Sequence, residues 1–258
     1  MFTRTCAWML TAIAGASPAA AQELVTYSLT WSEVIAGTNQ PVSTPNGSLG
    51  PGEGVRLAMR VTYSPPFGSP ATYTPPPPPG TGTIAGLASI FVDILGMNLL
   101  GGTWSNLTSN AAANPGGVPG GHNWSLGGTG DPQPNGNIIN IGAGQFVLPG
   151  GTAVSTNPVD NIWRATWTPS SYTVRTMTFQ VAGAVAAGGL HSSLLIKYGT
   201  DPQGNDQYVG KFVPGMFGSC SVPIPAPGTL ALFGGALLVH RRPRRPSTSA
   251  LSEHRRVP

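Results

Sequence analysis

Gly54–Tyr63 reads GVRLAMRVTY, and its alternation decides the fold class. Val55, Leu57, Met59, Val61 and Tyr63 fall on one side of an extended chain; Arg56, Ala58, Arg60 and Thr62 fall on the other. Such a segment buries one face and solvates the other, so it predicts a strand of a sheet with a single core. Pro51-Gly52-Glu53-Gly54 supplies the turn that starts it.

Working outward, other segments read the same way. Val25–Trp31 is an opening strand, and the almost wholly apolar Leu87–Leu95 suits a central one. Ile138–Leu148 is interrupted at Gly142-Ala143-Gly144, which predicts a bulge or hairpin there. Ile162–Trp167 places Trp163, Ala165 and Trp167 on one face, and Tyr172–Val181 is rich in Thr and β-branched residues. Leu194–Tyr198 and Tyr208–Val213 follow, separated by the turn Asp201–Asp206. About eight strands without an amphipathic helix predict an all-β antiparallel β-sandwich of the jelly-roll or immunoglobulin/cohesin-like kind. Ser64–Gly82, with five consecutive prolines at Pro75–Pro79, and the Gly/Pro/Asn-rich Asn110–Asn137 are expected as long surface loops.

Composition agrees with this class. Gly and Pro make up about a quarter of the 258 residues, a level at which disorder competes, yet 40% of residues are hydrophobic and six are Trp. The formal charge of +4 is concentrated at the C-terminus. Residues 22–222 hold six basic and eight acidic side chains, whereas residues 223–258 hold six Arg and one Glu. A nucleic-acid binder carries its basic surface on the folded domain, so nucleic acid is excluded as the expected partner.

The two ends carry addresses. Arg4, the apolar Ala7–Ala14, the helix-breaking Ser17-Pro18 and the small residues Ala19–Ala21 form a secretory signal, residues 1–21, cleaved by signal peptidase between Ala21 and Gln22. Its apolar run is shorter than the roughly 20 residues of a membrane span. Cys6 leaves with the signal and Cys220 remains alone, so no internal disulfide is expected. At the other end, Pro223, Pro225 and Pro227 are expected to terminate the domain, 22–222. The uncharged Gly228–Val239 follows, predicted as a short hydrophobic helix, then His240 and the cluster Arg241, Arg242, Arg244 and Arg245. Residues 223–245 thus read as a sorting or anchor segment, and 246–258 as a disordered basic tail.

This order of proline motif, apolar run and arginines resembles the PEP-CTERM sorting signal, with Pro225-Ala226-Pro227 in place of Pro-Glu-Pro, a form similar to that of planctomycete-like proteins. The resemblance implies an exosortase-like processing enzyme, transient inner-membrane anchoring and an exopolysaccharide-rich setting. Independently, arginines after an apolar run hold it in a membrane with the positive end on the cytoplasmic side. The central layout resembles, at the level of fold alone, the carbohydrate-binding and cohesin-like sandwiches of exported bacterial proteins.

Catalytic and metal signatures are sparse between the two signals. His122, in GGHNWS, and His191, before a strand, lack the short spacing of zinc ligands and are expected on the surface. Gly101–Ser105 and Asn123–Ser125 lack the spacing of a nucleophile elbow, and the acids are scattered. Asp201, Asn205 and Asp206 could face calcium, but a plain turn is the simpler reading. Trp104, Trp124, Trp163 and Trp167 could stack on sugars, and Trp124, in its glycine loop, is the candidate sugar contact. No cofactor is expected. The reading is an exported, non-catalytic envelope or matrix protein, with a carbohydrate-binding module as its rival and a secreted hydrolase as the weaker third.

Overall fold

The apolar side chains of GVRLAMRVTY point inward as their spacing requires: Val55, Leu57, Met59 and Val61 have no exposed surface, and Tyr63 is 2% exposed. The computed structural model describes residues 22–74, 79–109, 122–126, 128–147, 157–184 and 191–226. They form fourteen strands and no helix. In chain order these are β1 (Leu24–Ile35), β2 (Glu53–Ser64), β3 (Pro70–Tyr73), β4 (Gly80–Met97), β5 (Gly102–Ser109), β6 (His122–Leu126) and β7 (Thr129–Pro132). Then come β8 (Ile138–Val147), β9 (Val159–Pro169), β10 (Arg175–Gly183), β11 (Ser192–Thr200), β12 (Asp206–Phe212), β13 (Gly215–Phe217) and β14 (Ser219–Ile224). The expected C-terminal helix lies outside the described residues.

Two sheets share one core. The first has the order β13-β1-β2-β9-β5, antiparallel except where β13 joins β1. The second is built on the eighteen-residue β4. Along one edge of β4 lie β10 and then β11, with Val92 opposite Gly183 and Ile90 opposite Ser192. Along its other edge lie β3 and β8, with Thr83 opposite Pro70 and Ser89 opposite Gly144. Leu57, Met59 and Trp163 of the first sheet belong to the same buried cluster as Ile94, Phe179 and Val222 of the second. Trp104 of β5 closes the gap: its ring lies 5.0 Å from Trp167 and 5.7 Å from Phe179, centre to centre, and its indole N–H donates to the Gly136 carbonyl at 2.9 Å.

One residue fastens the sheets to each other. Gly218 separates β13, on the edge of the first sheet, from β14, on the edge of the second. Its N–H donates to the Tyr27 carbonyl of β1 at 2.9 Å, and its carbonyl accepts from Val181 of β10 at 3.0 Å. A Cβ at this position would sit 2.6 Å from the Tyr27 oxygen, inside van der Waals contact, so only glycine lets the chain pass this close.

Several sequence expectations need correction. Ser64–Gly82 is not one open loop: β3 pairs with the start of β4, with Ala71 buried and Tyr73 packed on Tyr198 at 5.3 Å. Asn110–Asn137 contains β6 and β7, both paired with β8, because that strand still has a free edge to satisfy. Gly142–Gly144 forms no hairpin: it runs in regular register opposite Ser89–Phe91 of β4, while on its other side the pairing with β6 shifts register between Phe146 and Gly144. A second irregularity, in the β4 pairing, falls earlier, between the Val92 and Ile94 pairs, where Asn140 takes a φ of 60°. Pro223 does not end the last strand. Its carbonyl accepts from Leu49 at 2.9 Å on the outer side of β14, so its nitrogen also faces away from β10, and no ladder bond is lost. The strand therefore continues to Ile224, 2% exposed, beyond the expected boundary at Val222.

Two outcomes follow for stability. Gly218→Ala must push Tyr27 or the corner apart, and should lower stability by about 1–3 kcal/mol, the usual cost of overpacking, read as a lower urea midpoint. A chain of residues 22–222 lacks Ile224 and should be less stable than one of residues 22–226 by about 2–5 kcal/mol, the range for emptying an isoleucine site. Equal midpoints would show that Ile224 adds nothing to the core.

Candidate functional site

The end of β14, the last described strand, is held from both of its edges. Glu33, near the end of β1, is 4% exposed, and its carboxylate accepts backbone N–H bonds from Asn46 (2.9 Å), Gly47 and Ser48 (3.1 Å). The turn is tightened by Asn46, whose side-chain oxygen accepts from the Ser48 N–H at 2.9 Å, with Gly47 at a φ of 80°. A carboxylate satisfied by several backbone donors is a strong, charge-assisted tether. It brings Leu49, fully buried, against the outer edge of β14, where its N–H reaches the Pro223 carbonyl. The exposed edge of the last strand is thereby covered just before Pro225 and Ala226 emerge.

The inner side of the exit is held by β10. Arg175 pairs with Ile224 and donates to the carbonyls of Leu99 and Ser171 at 2.8 Å each and of Thr173 at 3.0 Å. Burial lowers its pKa from the ordinary arginine value. Around it lie Met97, Leu100 and Val174, all exposed apolar side chains. Leu100 has a φ of 54°, a left-handed conformation that costs a non-glycine residue energy, and Ser170 donates to its carbonyl at 3.2 Å.

Pro225 is half-buried and Ala226 exposed at this exit. Pro227, the arginines Arg241, Arg242, Arg244 and Arg245, and Ala21 lie outside the described residues. Gln22 is exposed at the other end of β1. Beside it, Glu23 forms an ion pair with Lys211 at 2.9 Å. The two exits therefore sit at opposite ends of β1, a strand of about 40 Å at its ordinary rise.

Of the sugar-stacking candidates, Trp163 and Trp167 are buried at 0% and 2% exposure, and Trp104 packs against both. These three rings are core, because β9 turns its tryptophan face inward against the second sheet. Trp124 lies in strand β6, rather than in a glycine loop; its side chain lies outside the described residues.

His191 is not a surface residue. Its Nε2 accepts from the Gly215 N–H at 3.1 Å and its ring meets Phe217 edge-on at 4.8 Å, filling space that the absence of side chains at Gly183 and Gly215 leaves. The Tyr27 hydroxyl donates to the His191 carbonyl at 2.9 Å, and burial pushes the Tyr27 phenol well above its ordinary pKa. His122 is part of β6.

Each acid of residues 22–222 has a structural partner. Glu53 accepts from Gly50 at 2.7 Å, Asp93 from Asn140 at 2.9 Å, and Asp131 from the Asn140 side chain at 3.0 Å. Asp160 pairs with Arg60, and Asp206 with Lys197 at 2.6 Å. Asp201 is the centre of its own turn: its carboxylate accepts from Gln203 at 3.0 Å, from the Asn205 N–H at 2.7 Å and from the Asn205 side chain at 2.9 Å. These bonds, the Asn205 side chain foremost, lower its pKa. Among the described residues no three His, Cys, Asp or Glu side chains come together as a metal site, and no helix is long and apolar enough to cross a membrane.

The Glu33 tether and the exposed cluster at the exit escape sequence reading. Glu33 looks like any polar strand residue, and only Asn46-Gly47-Ser48 hints at the turn it holds. No protein-family model matches the chain, and no curated protein matches it.

Cys220, on β14, packs against the core as a free thiol, and burial pushes its pKa up to about 11. Because the thiolate is the reacting form, alkylation of the folded protein at pH 8 should be slow and should rise with pH towards 11. Denaturation should abolish the difference. Folded-state alkylation by iodoacetamide as fast as in denaturant would contradict this burial.

Proposed function

We propose that this chain is an exported, non-catalytic protein of the cell envelope or extracellular matrix, sorted by a PEP-CTERM-like C-terminal segment. In this reading signal peptidase releases the N-terminus at Gln22, and residues 227–245 hold the protein at the inner membrane until an exosortase-like enzyme acts at Pro225-Ala226-Pro227. The two sheets are a β-sandwich of the jelly-roll or immunoglobulin/cohesin-like group, supported by their shared core and by the sheet-switching corner at Gly218.

The observation that carries the proposal is the abruptness of the exit. Among the described residues the last core side chain is Ile224, and three residues later the sequence becomes an uncharged twelve-residue run followed by His240 and four arginines. A globular domain gains nothing from this order, whereas a membrane reads it as a stop with a fixed orientation. The setting implied by the segment is a polysaccharide-rich surface.

Fractionation of cells tests the proposal. Because Ile224 belongs to the core, the informative truncation stops after Ala226. That variant should be exported, start at Gln22 and appear in the medium, while the parent stays with the membrane. Replacing Arg241, Arg242, Arg244 and Arg245 with Ser should also weaken retention, since each charge costs about 2.5–3.5 kcal/mol at the bilayer centre on insertion scales. Retention of both variants at the parental level would show that the segment is no sorting signal.

A further inference from the structure

We propose that the exit end of the domain is itself a membrane-contacting surface, with the bilayer that holds the C-terminal segment as its partner. The proposal rests on the sorting reading above and deepens it. Four large apolar side chains are exposed around this end: Leu100 at 64%, Val174 at 56%, Ile35 at 50% and Met97 at 44%. They belong to one neighbourhood. Arg175, next to Val174, bonds the Leu99 carbonyl; Asn98, between Met97 and Leu99, donates to the Thr176 carbonyl at 3.4 Å; and Tyr172 donates to the carbonyl of Glu53, the residue opposite Ile35. Arg175 also lies directly opposite Ile224, where the chain departs.

Length identifies the occupant. Between Ile224 and Gly228 there are three residues, Pro225-Ala226-Pro227. Fully extended they reach about 10 Å, roughly the depth of one headgroup layer. The uncharged run Gly228–Val239 has twelve residues, which as a helix measure about 18 Å against a hydrocarbon core of about 30 Å. With the arginines held at the far side, so short a segment draws the domain down to the near surface. The end that must meet the headgroups is the end that exposes Leu100 and Val174. Leu100 reaches outward from a left-handed backbone, a strained placement for a leucine that faces only water. Charge does not oppose the contact. Arg175 is cationic, and the carboxylates of Glu33 and Glu53 are engaged, Glu33 by the Asn46–Ser48 turn and Glu53 by the Gly50 N–H. The opposite end, about 45 Å away along β4, carries the paired ends of β3 and β4 and the Asp201–Asp206 turn.

The test uses the mature chain, Gln22–Pro258, with Cys220→Ser, reconstituted into vesicles of phosphatidylethanolamine and phosphatidylglycerol. A fluorophore is attached at Val174→Cys in one sample and at Gln203→Cys, in the far turn, in another. Lipids carrying a quencher near the headgroup should dim the first label several-fold more than the second. Adding Leu100→Asp and Val174→Asp should abolish quenching of a label at Met97→Cys, with the far-UV circular dichroism unchanged. Equal quenching at both positions, while the protein still floats with the vesicles, overturns the docking surface and leaves the sorting reading intact. A chain that does not float with the vesicles overturns both.

Discussion

Two apolar sheet faces can be hidden from water only against each other, and the chain must cross between them without opening a gap. Gly218 makes that crossing with a single residue, its N–H spent on β1 and its carbonyl on β10. The position allows no side chain, because the Tyr27 carbonyl occupies the space a Cβ needs. What depends on it is extensive. Tyr27 stacks on Phe217 at 5.4 Å and reaches the His191 carbonyl, and β14, launched by the crossing, seals the core with Val222 and Ile224.

The far side of the core is closed by aromatic packing instead. Trp104, Trp163, Trp167 and Phe179 meet at tilted or edge-to-face angles, the geometry that aromatic quadrupoles favour. Backbone close approach makes room for them: Gly102 and Gly136 lie against Trp167, where a Cβ would come within 2.4 and 3.3 Å of the ring. The glycine content thus serves packing as well as turns. Charge is used sparingly and locally, with carboxylates consumed by turns and short ion pairs. Glu33 is the clearest case, since it converts a seventeen-residue connection between β1 and β2 into a cover for the last strand.

Alternation made the long strands legible. Val25–Trp31, Gly54–Tyr63, Leu87–Leu95 and Ile162–Trp167 all lie within strands that extend beyond those limits, because a period of two directly reports a half-buried sheet. The short strands β3, β6, β7 and β13 were not legible. Each is three to five residues long, rich in Gly, Pro or polar residues, and exists because a neighbouring strand offers unpaired backbone groups. Trp104, Trp163 and Trp167 went to the core for a related reason: composition shows that tryptophans are present, while the partners of their rings depend on what lies opposite.

By itself the sequence determined the all-β class, the inward face of Gly54–Tyr63 and the separation of an acidic body from an arginine-rich C-terminal stretch, because periodicity and charge are local properties. Only the tertiary structure decided that Pro223 stays within a strand, that Glu33 holds a distant turn and that His191 is packed rather than exposed. It also decided that Leu100 and Val174 are exposed at the end of the domain where β14 finishes. Those outcomes depend on which backbone edges and side chains meet across long sequence separations, such as Glu33 with Ser48, Leu49 with Pro223 and Gly218 with both sheets, and no local pattern encodes such a meeting.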